Sequence, residues 1–278
     1  MKLCYQVATP DVAVSESVTA YQGPLEKSFS DLSALGYDGV EFMTIDPGRL
    51  NWPEIETLKR QTNMAVALVC TGEVFGQLHA SFTNRDPGMR RLAVDRVKEL
   101  IDFAGFLGAK LNIGRVRGMY QPDFIPRGQT EEWLVDALRE ISDYAAPQNV
   151  TIALETVTIL QTNLINTCAE ARALIRQVDR PNFRLMQDTF HLNIEEKNLC
   201  EAICDYAPEN VHVHLCDNNR RYPGNCGLDF HRIIQCFHDV GYDDCFSTEI
   251  MQFPSMEEAA RRSIEYLGPI FRRVYGRE

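Results

Sequence analysis

Leu35-Gly-Tyr-Asp-Gly-Val-Glu-Phe-Met43 joins the end of a helix-like segment to a short apolar run. A similar joint with a glycine precedes two other apolar runs. It is Leu107-Gly-Ala109 before the run that begins at Lys110, and Val240-Gly-Tyr-Asp243 before the run that begins at Cys245. Glycine just past a helix supplies the left-handed residue that ends it. Each copy therefore predicts a helix end, a short loop and the beginning of a strand.

Short apolar runs alternate with longer segments of helical period along the whole chain. Eight runs stand out, and they are Lys2–Val7, Gly39–Met43, Ala65–Cys70, Lys110–Ile113, Val150–Leu154, Phe183–Met186, Val211–Leu215 and Cys245–Thr248. Eight strand–helix units in 278 residues are typical of a (β/α)₈ barrel. We therefore predict one α/β domain, a (β/α)₈ TIM barrel over residues 1–278. An open doubly wound sheet is the alternative, but no Gly-x-Gly-x-x-Gly follows the first run.

The composition argues against several classes of protein. The chain has 28 Lys and Arg against 39 Asp and Glu, a net charge of −11, which disfavours nucleic-acid and anionic-membrane partners. No apolar run approaches the roughly 20 residues of a membrane span. The beginning of the sequence lacks the apolar stretch of a signal peptide, so we predict a cytoplasmic protein. Nine cysteines without a Cys-x-x-Cys pair indicate reduced thiols rather than a zinc ribbon or a disulfide framework.

Four consecutive runs end in a side chain that can bind a metal ion. These side chains are Glu155, Asp188, His214 and Glu249. In a parallel barrel the active site lies where the strands end, and neighbouring strand ends are close in space. Alone, each residue is explained as a helix cap, an ion-pair partner or a core histidine, but all four on consecutive strands predict a metal site. Three carboxylates and one imidazole suit one hard or borderline divalent ion, such as Mn²⁺, Mg²⁺ or Co²⁺.

Two further polar residues are expected inside the barrel. His212 lies two residues before His214, so both side chains point to the same side of a strand and His212 lies one layer deeper. We interpret His212 as a core histidine and not as a ligand. Glu41 also faces the interior, where a buried carboxylate needs a partner that the sequence does not identify.

The residues around two of these strand ends resemble a known family. Asp188-Thr-Phe-His-Leu-Asn-Ile-Glu-Glu196 and His214-Leu-Cys-Asp-Asn-Asn-Arg-Arg-Tyr-Pro-Gly224 are similar to ketose 3-epimerases of the D-tagatose/D-psicose 3-epimerase type, which belong to the xylose isomerase-like barrel superfamily. The resemblance extends over 81–108. It implies that the four rim residues bind the metal, usually Mn²⁺, and that Glu155 and Glu249 are also the catalytic acid/base pair. It further implies a homodimer or homotetramer.

The resemblance also identifies candidate substrate contacts. His191 and Arg220 match residues that contact the substrate around its carbonyl and first hydroxyls. Gln161 stands where the family has a substrate-contacting glutamate. Arg115 and Arg117 stand where neutral and aromatic residues are typical.

These departures suggest a negatively charged part of the substrate. If the fourth strand continues through Arg115 and Arg117, both side chains point towards the pocket, and arginine suits carboxylate or phosphate. Gln161 removes a negative charge that would repel an anion. The alternative is that both arginines lie on a solvated loop or pair with local acids.

Proton transfer next to a ketone fits this set of residues. A divalent ion stabilises the enediolate that forms when the proton leaves, and a second carboxylate can return a proton to the opposite face. We therefore predict a metal-dependent epimerase or isomerase of a keto-sugar or sugar phosphate. A metal-dependent dehydratase of a polyhydroxy ring or sugar acid is the alternative, and a non-catalytic sugar-binding protein is less favoured because both glutamates are present.

Overall fold

The computed structural model describes residues 1–276, so Arg277 and Glu278 of the predicted domain lie outside the described residues. Parallel strands close into a barrel in chain order, with the last strand paired to the first. The strands are β1 Lys2–Ala8, β2 Gly39–Met43, β3 Ala65–Cys70, β4 Lys110–Ile113, β5 Ile152–Glu155, β6 Phe183–Asp188, β7 Asn210–Leu215 and β8 Cys245–Thr248. The predicted (β/α)₈ barrel is confirmed. The predicted bounds of β2, β3, β4 and β8 agree residue for residue with the structure.

Helices surround the barrel and follow the strands in the chain. They are α1 Leu25–Leu35, α2 Trp52–Thr62, α3 Gly72–Leu78, α4 Pro87–Leu107, α5 Arg127–Ala145, α6 Cys168–Val178, α7 Thr189–Glu195, α8 Leu199–Tyr206, α9 Phe230–Asp239 and α10 Met256–Tyr275. The ring closes where α10 contacts α1. Within residues 1–276, no helix has the length and apolar character needed to cross a membrane.

The three glycine joints have the predicted backbone conformation. Gly36, Gly108 and Gly241 have φ angles of 93°, 67° and 76°, in the region where a side chain causes strain. The following strands therefore begin at fixed positions. At the opposite end of a helix, Thr167 and Glu170 form a complete capping box at the beginning of α6.

The inside of the barrel changes from apolar to polar along the strands. Leu68, Ala153 and Met186 belong to one buried cluster. Because alternate residues of a strand face the same side, Glu155 lies above Ala153 and Asp188 lies above Met186. The apolar layer therefore supports a polar layer at the carboxyl ends of the strands.

Candidate active site

The four predicted rim residues converge at the carboxyl ends of β5 to β8. Each of Glu155, Asp188, His214 and Glu249 offers one ligand atom, and these atoms all lie within 4.8 Å of one another. Asp188 and His214 are adjacent partners in the β6–β7 ladder. The structure therefore brings together the residues that the spacing of strand ends predicted.

Two atoms of this cluster are buried without a hydrogen-bond partner among residues 1–276. They are Oε1 of Glu155 and Nδ1 of His214, which lie 3.3 Å apart. Nδ1 is also 3.1 Å from Oε2 of Glu249 and 3.6 Å from Oδ2 of Asp188. Buried polar atoms are nearly always satisfied, and three carboxylates with one imidazole form a donor set for a divalent ion. The side chains present thus fit a bound cation.

Glu41 holds His214 from the other side. Nε2 of His214 donates to Oε1 of Glu41 at 2.9 Å, and Nε2 of His212 donates to Oε2 at 2.9 Å. Gln6 and Cys70 also donate to Oε1, both at 2.8 Å. His212 is therefore the core histidine that the sequence predicted. The partners of Glu41 could not be predicted, because 173 positions separate it from His214 in the sequence.

This network determines the charge of its members. Burial opposes the ionised form of Glu41, but His214 and His212 hold the pKa of Glu41 well below its usual value. Burial likewise lowers the pKa of His214, yet Glu41 and Glu249 outweigh that effect and raise it well above its usual value. Glu41 and His214 therefore each favour the charged form of the other.

Arg220 bridges two of the rim carboxylates. Its Nη1 donates to Oδ2 of Asp188 at 2.6 Å, and its Nη2 donates to Glu249. Burial alone raises the pKa of Glu249, but Arg220 and then His214 lower it to about 2. The guanidinium therefore lies within the acidic cluster and lines the cavity beside it.

The backbone of Arg220 is in an unusual conformation that its loop maintains. Its φ angle is 58°, in the region that favours glycine. The carbonyl of Asp217 accepts from the Arg220 N–H at 2.9 Å. The Asp217 carboxylate accepts from the N–H groups of Gly224, Cys226 and Leu228. This carboxylate thus fixes the loop after β7 and, through it, the direction of the Arg220 side chain.

His191 presents a defined hydrogen-bond donor to the cluster. The Thr158 N–H donates to its Nδ1 at 3.2 Å, which assigns the ring proton to Nε2. Nε2 lies 3.9 Å from Oε1 of Glu155 and 4.0 Å from Oδ2 of Asp188. Burial lowers the pKa of His191, so the ring is neutral at neutral pH.

Asp188 also caps α7 by accepting from the Phe190 N–H at 2.7 Å.

The two arginines after β4 do not point to the same side, and the expectation that both face the pocket is wrong for Arg117. The strand ends at Ile113, and Arg115–Arg117 form a 3₁₀ turn. Arg115 lines the cavity. Arg117 is fully buried, and its guanidinium donates to the carbonyls of Leu164, Ile165 and Glu155. Arg117 thus holds the loop after β5 and is not a substrate contact.

A cavity of about 180 Å³ opens above the cluster. Its volume suits a small molecule. Gln161 lies in its wall, together with residues from the loops after β1, β3, β4 and β8. The cavity is lined by Ser17, Thr19, Met43, Cys70, Gly72, Glu73, Asn112, Gly114, Arg115, Glu155, Val157, Gln161, His191, Arg220, Glu249 and Met251.

The chain is a parallel eight-stranded barrel whose acidic, histidine and arginine side chains cluster at the carboxyl ends of the strands. TIM-barrel enzymes have their active sites at this end of the barrel. A family described as xylose isomerase-like TIM barrel matches residues 29–270. The chain belongs to this family, as the sequence motifs predicted.

Several characterised relatives are epimerases. A 3-dehydro-D-guloside 4-epimerase of Escherichia coli is 30% identical over 222 residues, which covers 76% of this chain and 80% of the relative. An L-ribulose 3-epimerase of a Methylomonas species is 25% identical, with 81% and 79% covered. The chain is accordingly an enzyme of the epimerase-like isomerase class.

Solved structures share the fold over nearly the whole chain. The apo form of 3-keto-D-glucoside 4-epimerase from Escherichia coli has a TM-score of 0.80 at 23% identity, covering 97% of this chain and 99% of the other. The IOLI protein with a binding zinc atom has a TM-score of 0.76 at 21% identity, covering 99% of both chains.

Proposed function

We propose that this chain is a divalent-metal-dependent epimerase of keto-sugars, in which Glu155 and Glu249 transfer the proton. One observation carries the proposal. Four metal-capable groups converge at the floor of a small cavity, and two of their atoms are buried without a hydrogen-bond partner among residues 1–276. The names of the epimerase relatives support a keto-sugar as the substrate.

Glu155, Asp188, His214 and Glu249 would hold the ion, for which we propose Mn²⁺, with Mg²⁺ and Co²⁺ as alternatives. A divalent ion bound there would polarise the ketone and make the neighbouring C–H group more acidic. The zinc atom in the IOLI structure supports a metal site in this fold. Aldose–ketose isomerisation needs the same groups and differs only in the carbon that receives the proton.

The strand positions of the two glutamates support an acid/base pair. Glu155 ends β5, whereas Glu249 directly follows β8, so their carboxylates enter the cavity from different strands. One carboxylate removes the proton from the carbon beside the ketone. The other delivers a proton to the opposite face, which inverts the carbon centre.

His191 and Arg220 supply the neighbouring donors. The Nε2–H of neutral His191 and the guanidinium of Arg220 lie beside the same carboxylates. We propose that they hold the carbonyl and hydroxyl oxygens of the substrate and offset the negative charge that develops on oxygen. Gln161 lines the same cavity, and we propose that it contacts the substrate as a neutral hydrogen-bonding group.

A solvent-exchange experiment tests this function. The protein is incubated in D₂O with Mn²⁺ and a panel of ketoses that includes L-ribulose and D-psicose, and the products are analysed by NMR and mass spectrometry. We expect an epimer that carries one solvent deuterium at the inverted carbon. Loss of water would identify a dehydratase instead. Binding without exchange for every sugar would contradict the proposed activity.

A further inference from the structure

We propose that Arg115 and Glu73 together form a subsite for hydroxyl groups at the end of the substrate remote from the carbonyl. The inference rests on the proposed function and adds to it a determinant of specificity. Arg115 follows β4 and Glu73 lies in the first turn of α3, so both stand across the barrel mouth from β7 and β8. Both line the cavity that contains Glu155 and Glu249.

The pair is fixed in place. Nη2 of Arg115 lies 2.6 Å from Oε1 of Glu73, and their side chains are 35% and 11% exposed. Gln77 donates to the other oxygen of Glu73 at 3.0 Å. Gln77 is itself held by the backbone N–H and carbonyl of Ala13, at 3.1 and 3.2 Å. Glu73 is thus held by Arg115 from the segment after β4 and by Gln77 of its own helix, which is bound in turn to the segment after β1.

This arrangement suits hydroxyl groups. Arginine has five N–H donors, and the contact with Glu73 uses one of them, so donors remain on the cavity side beside a carboxylate acceptor. A sugar hydroxyl both donates and accepts. Two neighbouring hydroxyls can therefore bond to Arg115 and Glu73 at once.

The same arrangement disfavours an anion. A phosphate or carboxylate that approached Arg115 would meet the negative charge of Glu73 directly beside it. The other arginine of the cavity wall, Arg220, is paired with Asp188 and Glu249. Among the described residues, each arginine that lines the cavity is therefore already neutralised. This leads us to replace the sequence-based expectation of an anionic substrate with that of an uncharged sugar end.

The test compares free D-psicose and L-ribulose with their terminal phosphate esters. kcat and KM are measured with Mn²⁺ for the wild type and for Arg115→Met, Arg115→Lys and Glu73→Gln. Arg127→Met is the matched control, since Arg127 forms an exposed ion pair with Glu131 at 2.9 Å. Calorimetric Kd values for the same ligands separate binding from turnover, and Tm values verify folding.

We expect the wild type to prefer the free ketoses. Arg115→Met should raise KM for them by about tenfold with little change in kcat, because the lost hydrogen bonds are remote from the reacting carbon. Arg115→Lys keeps the positive charge but loses the planar guanidinium with its several donors, and should show a smaller rise in KM. Glu73→Gln should shift the ratio of kcat/KM values towards the phosphate esters.

Two results would overturn the subsite. One is a wild-type preference for the phosphate esters. The other is an unchanged Kd for the free ketoses in both Arg115 variants. Tight binding of free ketoses that needs Arg115 but gives no exchange would instead contradict the proposed epimerase function and leave the subsite supported.

Discussion

Nε2 of His214 lies 2.9 Å from Oε1 of Glu41, across the interior of the barrel. The contact fixes the imidazole so that Nδ1 faces Glu155, Asp188 and Glu249. A carboxylate on the second nitrogen of a histidine ligand sets its tautomer and orientation and raises its basicity. Glu41 thus acts on the candidate metal site through His214, without contributing a ligand atom to the four-residue rim cluster.

Glu41→Gln should weaken metal binding. The variant loses the charged acceptor of His214, and such changes typically cost about 10–100-fold in metal affinity. The affinity for Mn²⁺ is measured by calorimetric titration of the metal-free protein, so the readout does not depend on activity. His212→Asn is the matched control, since His212 donates to the same carboxylate at 2.9 Å but is not part of the rim cluster. Equal affinities in wild type and Glu41→Gln would contradict the role of Glu41.

Much of the rim was predictable because it depends on chain order alone. In a closed parallel barrel the carboxyl ends of all strands lie at the same end of the barrel. The side chains at the ends of neighbouring strands β5 to β8 therefore converge. No knowledge of side-chain packing was needed to bring Glu155 and Glu249 together.

Other parts of the site depend on geometry that the sequence does not display. The partners of Glu41 lie across the barrel, and the interior layer that each residue occupies depends on the stagger between strands. The prediction that the Arg115 and Arg117 side chains point to the same side was wrong for a local reason. Gly114 has φ −100° and ψ −117° and begins a 3₁₀ turn, so the two-residue period of a strand no longer applies. Glycines at 114 and 118 were the signal for that turn.

Glu155→Gln and Glu249→Gln should each abolish most turnover. Glutamine preserves the shape and an oxygen ligand but cannot take up a proton at neutral pH. The expected loss in kcat is at least about 10²–10⁴-fold, the share that general acid–base catalysis supplies. Deuterium exchange into L-ribulose or D-psicose is the measurement, with Mn²⁺ at saturation so that reduced metal affinity does not imitate lost catalysis. Near-normal turnover of either variant would remove that residue from the acid/base pair.

The stability of the metal-free protein should fall in acid. Burial opposes the ionised forms of Glu41 and Asp188, yet the pKa values of both lie well below their usual values. His214 and His212 lower the pKa of Glu41. Arg220 and His191 lower the pKa of Asp188. A carboxylate with a lowered folded-state pKa contributes stability above its unfolded pKa of about 4, and this stability is lost as the pH falls. The maximal slope is about 1.4 kcal/mol per pH unit for each proton taken up. Urea unfolding with a chelator between pH 6 and pH 3 measures it. Glu41→Gln should show a shallower decline, whereas parallel curves would contradict the assignment.

Arg117→Met should destabilise the protein far more than Arg115→Met. Burial lowers the pKa of Arg117 to about 10, so the buried guanidinium is still charged at neutral pH, and it donates to three backbone carbonyls. Methionine removes all three of these hydrogen bonds, at a cost of about 1–3 kcal/mol for each buried carbonyl that is left unsatisfied. The Ile165 carbonyl still accepts from the Val157 N–H at 3.4 Å. Arg115 is 35% exposed in its ion pair with Glu73, and pairs near the surface contribute only about 0–1 kcal/mol. Urea unfolding measures both variants. Similar free energies of unfolding for the two would show that Arg117 does not hold the loop after β5. A KM effect confined to Arg115→Met would separate the substrate contact from the structural one.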